Sequence, residues 1–171
     1  MDLGCGNLRD SLFFWRYGRK VLACDCVDIE IPTELRGQDS FAFQRHCFGS
    51  DQPQKLMTQV EAMGFRQNWA VYARFLVHAL DEGELRSMIE FLGLAADLGA
   101  TGLIEARAPK QIDTDEPIFS NHSRNFVSLG SLKELLSEFG LEVVQESQSR
   151  GVAAFRLEDP LVYRLVVAKN A

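Results

Sequence analysis

The chain has 171 residues, of which 46% are hydrophobic and 25% are charged. This length suits a single domain with a sizeable core, and the composition is that of a globular protein. The formal net charge is −6 and the sequence contains no basic tract, so nucleic acid held by phosphate neutralisation is not expected as a partner. No apolar run approaches the ~20 residues of a membrane span, and the expected location is cytoplasmic.

The four cysteines include no Cys-x-x-Cys pair, and two of them fall inside predicted buried strands. Neither a zinc site nor a disulfide framework is therefore predicted. His46 stands next to Cys47 in the manner of two metal ligands, but no further ligand follows at a useful spacing. No metal is predicted.

The first nine residues predict the end of a buried strand, a glycine turn and the start of a helix. Gly4 and Gly6 allow the backbone to turn tightly and to approach a ligand without an intervening Cβ atom, and the helix N-terminus adds free N–H donors. An acid, Asp2, precedes the glycines. Nineteen residues beyond Gly6, a short apolar strand ends at Asp25, the position where Rossmann-like folds bind ribose hydroxyls. The pattern predicts a loop that binds a nucleotide-type cofactor.

A nicotinamide dinucleotide is one kind of cofactor that binds such a loop. A dinucleotide fingerprint requires a third glycine, which is replaced here by Arg9, and it does not require an acid before the first glycine. A nicotinamide cofactor is therefore disfavoured but stays open as an alternative.

Predicted strands and helices alternate along the chain. Helices are predicted over 9–17, 53–63, 82–98 and 132–139, and strands over 20–25, 41–45, 68–73, 101–107, 142–146, 152–155 and 161–168. Asp81 with Glu84, and Ser131 with Glu134, have the spacing of capping boxes that begin helices. The alternation indicates an α/β fold with a mostly parallel sheet, helices on both faces, and an antiparallel ribbon at the C-terminal edge.

The Asp-x-Gly-x-Gly sequence followed by the later Asp25 resembles motifs I and II of class I S-adenosylmethionine-dependent methyltransferases. The resemblance implies a Rossmann-like sheet of seven strands with the last one antiparallel, and S-adenosylmethionine as cofactor. Members usually carry a strand start and helices upstream of motif I, so residues 1–171 are expected to form one domain without that segment. The residues expected to bind the cofactor are Asp2, Gly4, Cys5, Gly6, Asn7, Asp25, Cys26, Asp51 and Ala73.

Residues 71–79 resemble a pattern of methyltransferases found near polysaccharide and surface-glycan genes, as do Arg107 and the later His122-x-Arg124. This resemblance implies a small hydroxylated acceptor such as a sugar or glycan intermediate. Arg74, Arg107 and Arg124 are then expected to bind the acceptor, because guanidinium groups suit phosphates and carboxylates.

His122 and His78 are the candidate catalytic residues, since a neutral histidine can act as a base near pH 7. Arg74 and His78 are four residues apart and would share one face of a helical turn. The alternative is structural: the arginines pair with Glu105 or a loop carboxylate, and His78 caps its own helix. The long polar stretch 108–127 is expected to govern acceptor selectivity.

A second hypothesis is a degenerate methyltransferase-fold domain that binds a partner and catalyses nothing. It is favoured by Leu8, which stands where many members of the family have glycine. The first hypothesis requires a small-molecule acceptor as partner, whereas the second requires only a binding partner.

Overall fold

A computed structural model describes residues 1–108, 125, 127–153 and 159–170 of the chain. The strands are β1 (Asp2–Leu3), β2 (Val21–Asp25), β3 (Phe41–Arg45), β4 (Trp69–Arg74), β5 (Ala100–Arg107), β6 (Leu141–Ser149) and β7 (Val162–Lys169). The helices are α1 (Arg9–Arg16), α2 (Pro53–Ala62), α3 (Glu82–Asp97) and α4 (Leu129–Glu138), with short 3₁₀ turns at Thr33–Leu35 and Val77–Ala79.

The seven strands form one sheet in the order β3-β2-β1-β4-β5-β7-β6. The neighbours from β3 to β5 pair in parallel, while β7 is antiparallel to both β5 and β6. This confirms the predicted α/β architecture. The antiparallel strand lies one position inside the edge, and β6 forms the edge itself.

Alternate residues of β2 point to opposite faces of the sheet, as a strand requires. Leu22 and Cys24 belong to a large core that also includes buried residues of α2, α3 and α4. Val21 and Ala23 belong to a smaller core, against which Leu12 and other residues of α1 pack. Helices therefore cover both faces, and the smaller core lies under the glycine loop.

Local signals determine where α3 begins. Asp81 is its N-cap: the Asp81 side chain accepts a hydrogen bond from the Glu84 N–H, and the Glu84 side chain accepts from the Asp81 N–H, as the spacing predicts. No helix in the described part of the chain is long and apolar enough to cross a membrane.

Two predictions in the C-terminal part were wrong. The N-cap of α4 is Ser128, whose side chain accepts from the Ser131 N–H at 3.0 Å, so Ser131 lies inside the helix that it was expected to cap. Val127 and Leu129 pack against the large core, and α4 begins at Leu129 instead of residue 132. Residues 152 and 153 form a bend instead of a strand; the remainder of the predicted strand 152–155 lies outside the described residues.

Candidate functional site

The glycine loop joins β1 to α1 at the carboxyl edge of the sheet. Because β1 pairs with β2 in parallel, the loop lies beside the end of β2. The Asp25 carboxylate accepts a hydrogen bond from the Gly6 N–H at 2.8 Å through Oδ2, and one from the Val27 N–H at 3.3 Å through Oδ1. The structure thus brings together the glycine pair and the acid that the sequence singled out.

The two glycines serve different purposes. Gly4 and Gly6 both adopt left-handed backbone conformations, with φ of 65° and 51°. A Cβ on Gly4 would lie 2.7 Å from Leu76 Cδ1, whereas a Cβ on Gly6 would meet no heavy atom of the described residues within 4 Å. Gly4 therefore admits the close packing of Leu76, and Gly6 leaves open space next to Asp25.

Leu8 has a backbone conformation that favours glycine. Its φ is 63°, a left-handed conformation that side chains with a Cβ rarely adopt. Its side chain is 1% exposed and belongs to the smaller core with Val21 and Leu35. The leucine thus combines a strained backbone with a buried side chain.

Asp2 is a buried acid at the base of the loop. Its Oδ2 accepts a hydrogen bond from Ser11 Oγ at 2.5 Å. Burial raises the pKa of Asp2 to about 6, although the Ser11 hydrogen bond acts in the opposite direction. Ser11 is itself fully buried in α1, so the acid connects β1 to the first helix.

A small cleft of about 100 Å³ opens above Asp2. Four of the residues predicted to bind a cofactor line it, together with four others; the lining residues are Asp2, Gly4, Cys5, Asn7, Arg9, Asp10, Arg74 and Phe75. Sites for small ligands usually have volumes of ~300–1,000 Å³. The cleft alone can therefore take only one end of a nucleotide-type cofactor, and the rest would extend over the open surface at Gly6 and Asp25.

Arg74, at the end of β4, lines this cleft but is held by two acids. Its Nε donates to Glu105 Oε1 at 2.8 Å, and its Nη1 donates to Asp10 Oδ2 at 3.1 Å. Glu105 Oε2 accepts a second arginine, Arg164, at 2.5 Å. Burial alone would raise the pKa of Asp10, but hydrogen bonds from Arg9 and Arg74 outweigh it and lower that pKa. The pairing expected under the structural alternative is thus present for Arg74.

Arg74 and His78 do not share a helical face, contrary to the prediction. Phe75, between them, has a φ of 58°, and its N–H donates to the Glu105 carbonyl at 2.7 Å. This turn ends the strand, and His78 follows in the 3₁₀ turn, where it is 6% exposed. Its carbonyl accepts the Asn125 N–H at 3.0 Å. The helix that follows, α3, is capped by Asp81.

Several other predicted residues lie away from the cleft. Asp51 lies in the turn after β3, where its carboxylate accepts from the Cys47 N–H at 2.9 Å and from Lys55 Nζ at 3.0 Å. The Cys47 hydrogen bond, followed by the Lys55 contact, lowers the pKa of Asp51. Ala73 is fully buried within β4, opposite Leu3 and Ile104.

The remaining predicted residues have mixed positions. Cys26 is exposed and follows Asp25 at the end of β2, and Arg107 is the last residue of β5. His122 and Arg124 lie outside the described residues.

Sequence reasoning missed Asp10, Ser11 and Phe75 as parts of this site. Asp10 lies in the first turn of α1, where acids are favoured by the helix dipole, and that position could have marked it as a candidate. Ser11 and Phe75 carry no comparable signal, because their importance lies in a buried contact and a backbone angle.

The strand order, the glycine loop and its acid define a Rossmann-like domain with the class I methyltransferase fold. No family model and no curated protein sequence matches the chain. Solved structures do, over almost its whole length.

Three of these structures illustrate the likeness. A methyltransferase from Anabaena variabilis described as S-adenosylmethionine-dependent has a TM-score of 0.70 and 13% identity, over 99% of this chain and 76% of its own. The 1,6-didemethyltoxoflavin-N1-methyltransferase of Burkholderia thailandensis, bound to S-adenosylhomocysteine, has a TM-score of 0.65 and 18% identity, over 99% of this chain and 69% of its own. The magnesium protoporphyrin IX methyltransferase of Synechocystis, also with S-adenosylhomocysteine, has a TM-score of 0.59 and 14% identity, over 96% of this chain and 72% of its own. At such identities the likeness establishes the fold.

Proposed function

We propose that the chain is an S-adenosylmethionine-dependent methyltransferase that acts in the cytoplasm on a small hydroxylated acceptor, such as a sugar or glycan intermediate. The observation that carries the proposal is the contact between the Asp25 carboxylate and the Gly6 N–H at 2.8 Å. It unites, at one point on the sheet edge, the two sequence motifs that the family uses for its cofactor.

The residues at this point suit the cofactor's adenosine. An ionised carboxylate offers about four lone-pair positions, and Asp25 uses two of them for backbone N–H groups. Two remain for the hydroxyls of a ribose lying over the open space at Gly6. Structures of the same fold that hold S-adenosylhomocysteine support this cofactor.

The cleft beside the ribose position suits the charged amino-acid end of the cofactor. It presents both an arginine, Arg9, and an acid, Asp10, on the first turn of α1. Arg9, whose side chain is 68% exposed, suits the free carboxylate of the cofactor, whereas Asp10 already accepts hydrogen bonds from Arg9 and Arg74. We therefore assign Arg74 a positioning role: through Asp10 and Glu105 it holds α1 against the ends of β4 and β5.

When bound, S-adenosylmethionine supplies an electrophilic methyl group for in-line transfer to the acceptor oxygen. The chain's own part is to hold donor and acceptor in line and to exclude water. A base near the acceptor takes the hydroxyl proton, and we propose His122 for this step. His78 is proposed to assist this proton transfer from its buried 3₁₀ turn. Arg107 and Arg124 are proposed to bind an anionic group on the acceptor.

Calorimetry with S-adenosylhomocysteine tests the cofactor site without any assumption about the acceptor. We expect one site with a micromolar Kd, about 8 kcal/mol of binding free energy. Asp25→Asn should weaken binding at least about tenfold, because an amide loses the charge and one acceptor position. Asp28→Asn is the matched control, since it removes the same charge from a side chain that is 83% exposed. Equal affinities for the two variants would refute the assignment of Asp25.

A second function is favoured by one observation. The contact with Leu76 and the left-handed backbone both favour glycine at position 4 even without a ligand. A domain that retained the fold but lost the cofactor, such as the interaction domain of the second hypothesis, would therefore still keep this glycine.

Leu76→Ala separates the two functions. If the unaltered chain binds no S-adenosylhomocysteine and Leu76→Ala restores binding, Leu76 blocks a site that is otherwise competent. If neither protein binds while both remain folded by circular dichroism, the interaction domain is favoured.

A further inference from the structure

Two cysteines meet at the carboxyl ends of β2 and β3. Asp25 and Arg45 are partners in the parallel pairing, and the His46 N–H continues it by donating to the Asp25 carbonyl at 2.9 Å. Cys26 directly follows Asp25, and Cys47 lies two residues after Arg45. A diagonal pair on neighbouring strands, about 4.8 Å apart sideways and about 3.3 Å along the strand, has a Cα separation of about 5.8 Å, which is within the range of about 4.4–6.8 Å that disulfides span.

The side chains of this pair already face each other. Cys47 Sγ lies 3.4 Å from the Cys26 carbonyl oxygen, to which it donates. Hydrogen bonding with Cys47 is the largest cause that raises the pKa of Cys26, ahead of burial. The Cys47 thiol is therefore directed towards Cys26 across the two strand ends.

The other two cysteines provide an internal contrast. Cys5 and Cys24 are buried, and burial raises the pKa of both, to about 12 for Cys24. A buried thiol is shielded from oxidants in solution. Cys26 is exposed and Cys47 is half-buried, so oxidants reach this pair first.

We propose that Cys26 and Cys47 are a modification site: a peroxide converts them to a reversible disulfide, which weakens binding at the neighbouring Asp25. The Cys26 sulfur attacks the peroxide, its S–O bond forms as the O–O bond breaks, and water leaves. The Cys47 sulfur then displaces the oxygen of this sulfenic acid as a second water, and the S–S bond forms. Two thiol hydrogens and two electrons pass to the peroxide. A thiol reductant reverses the change.

The consequence for binding follows from the turn that holds Asp25. Oδ1 of Asp25 accepts from the N–H of Val27, two residues on, so the carboxylate is fixed by a turn whose central residue is Cys26. A bond from Cys26 to Cys47 pulls on this central residue, and the carboxylate loses its fixed orientation. This second half rests on the proposed function, whereas formation of the disulfide does not.

Intact mass spectrometry of the chain treated with hydrogen peroxide tests disulfide formation. We expect loss of two hydrogen atoms, a cross-linked peptide containing Cys26 and Cys47, and recovery of the original mass with dithiothreitol. Cys47→Ser should abolish the loss, and Cys5 and Cys24 should stay unmodified under native conditions. A dimer joined through Cys26, or added oxygen on Cys26 without a cross-link, would overturn the proposal.

Titration of reduced and oxidised protein with S-adenosylhomocysteine tests the coupling. We expect the oxidised form to bind at least about tenfold more weakly, with full recovery after reduction. A cross-linked protein of unchanged affinity would overturn the coupling. Failure of the reduced protein to bind would count against the proposed function instead, and the mass measurement would still decide on the disulfide.

Discussion

Replacement of the buried acid Asp2 by asparagine should make the protein more stable at neutral pH. Asparagine has nearly the same shape and can keep a hydrogen bond to Ser11 Oγ, which lies 2.5 Å from the acid. Burial raises the pKa of Asp2 from 3.8 to about 6, so the folded state disfavours the carboxylate that exists at pH 7. This rise corresponds to roughly 3 kcal/mol, at 1.36 kcal/mol for each pKa unit.

The sign of the pH dependence follows from proton binding. Between about pH 4 and pH 6 the folded state binds more protons at Asp2 than the unfolded state does. The free energy of unfolding therefore falls as pH rises through this range, and the stabilising contribution, complete below about pH 4, is lost above about pH 6. Asp2→Asn has no such group, so its advantage over the original protein should grow from acid to neutral pH by up to roughly 3 kcal/mol.

Urea unfolding followed by tryptophan fluorescence, at about pH 4 and about pH 7.5, measures this difference. Ser11→Ala serves as the companion variant: it keeps the acid and removes the hydrogen bond that lowers its pKa, so its stability should fall more steeply with pH. An Asp2→Asn advantage of equal size at both pH values would refute the reasoning, because the effect would then be unrelated to protonation.

Two further predictions concern stability. Leu8→Ala should lower the free energy of unfolding by about 2–5 kcal/mol, because it empties a buried position. Leu8→Gly should nevertheless be more stable than Leu8→Ala by about 1 kcal/mol, the reverse of the usual order, since glycine relieves the left-handed backbone. Equal or lower stability of Leu8→Gly in urea unfolding would contradict this. Glu105→Gln should lower the free energy of unfolding by roughly 1–3 kcal/mol. This is less than the loss expected on breaking a fully buried ion pair, because the two arginine partners of Glu105 are 25% and 44% exposed. A melting temperature equal to that of the original protein would show that the arginines find other partners.

The architecture could be predicted from sequence because it depends on periodic and local signals. Apolar strands alternate with amphipathic helices, and the capping box at Asp81 and the glycine after each helix mark the boundaries. The glycine loop and Asp25 could be paired for the same reason: a Rossmann-like order places the ends of β1 and β2 side by side.

The interior of the site could not be predicted in this way. Arg74 pairs with Asp10, 64 positions before it, and with Glu105, 31 positions after it. No local sequence pattern indicates which acidic residues the fold will place next to this arginine. The positive φ of Phe75 similarly depends on the Glu105 carbonyl that its N–H reaches. The helical continuation expected after β4 failed for that reason.

Arg74 also shows why residue type alone gave an ambiguous role. An arginine at the end of β4 was expected to face an acceptor, but its guanidinium is 25% exposed and already meets two carboxylates. One of them, Asp10, belongs to the first turn of α1, and the other, Glu105, also binds Arg164 from β7. The helix that follows the glycine loop is therefore tied through Arg74 to three strands at the C-terminal half of the sheet. Because the same helix presents its first turn to the cleft, the shape of the cleft depends on this ion-pair network.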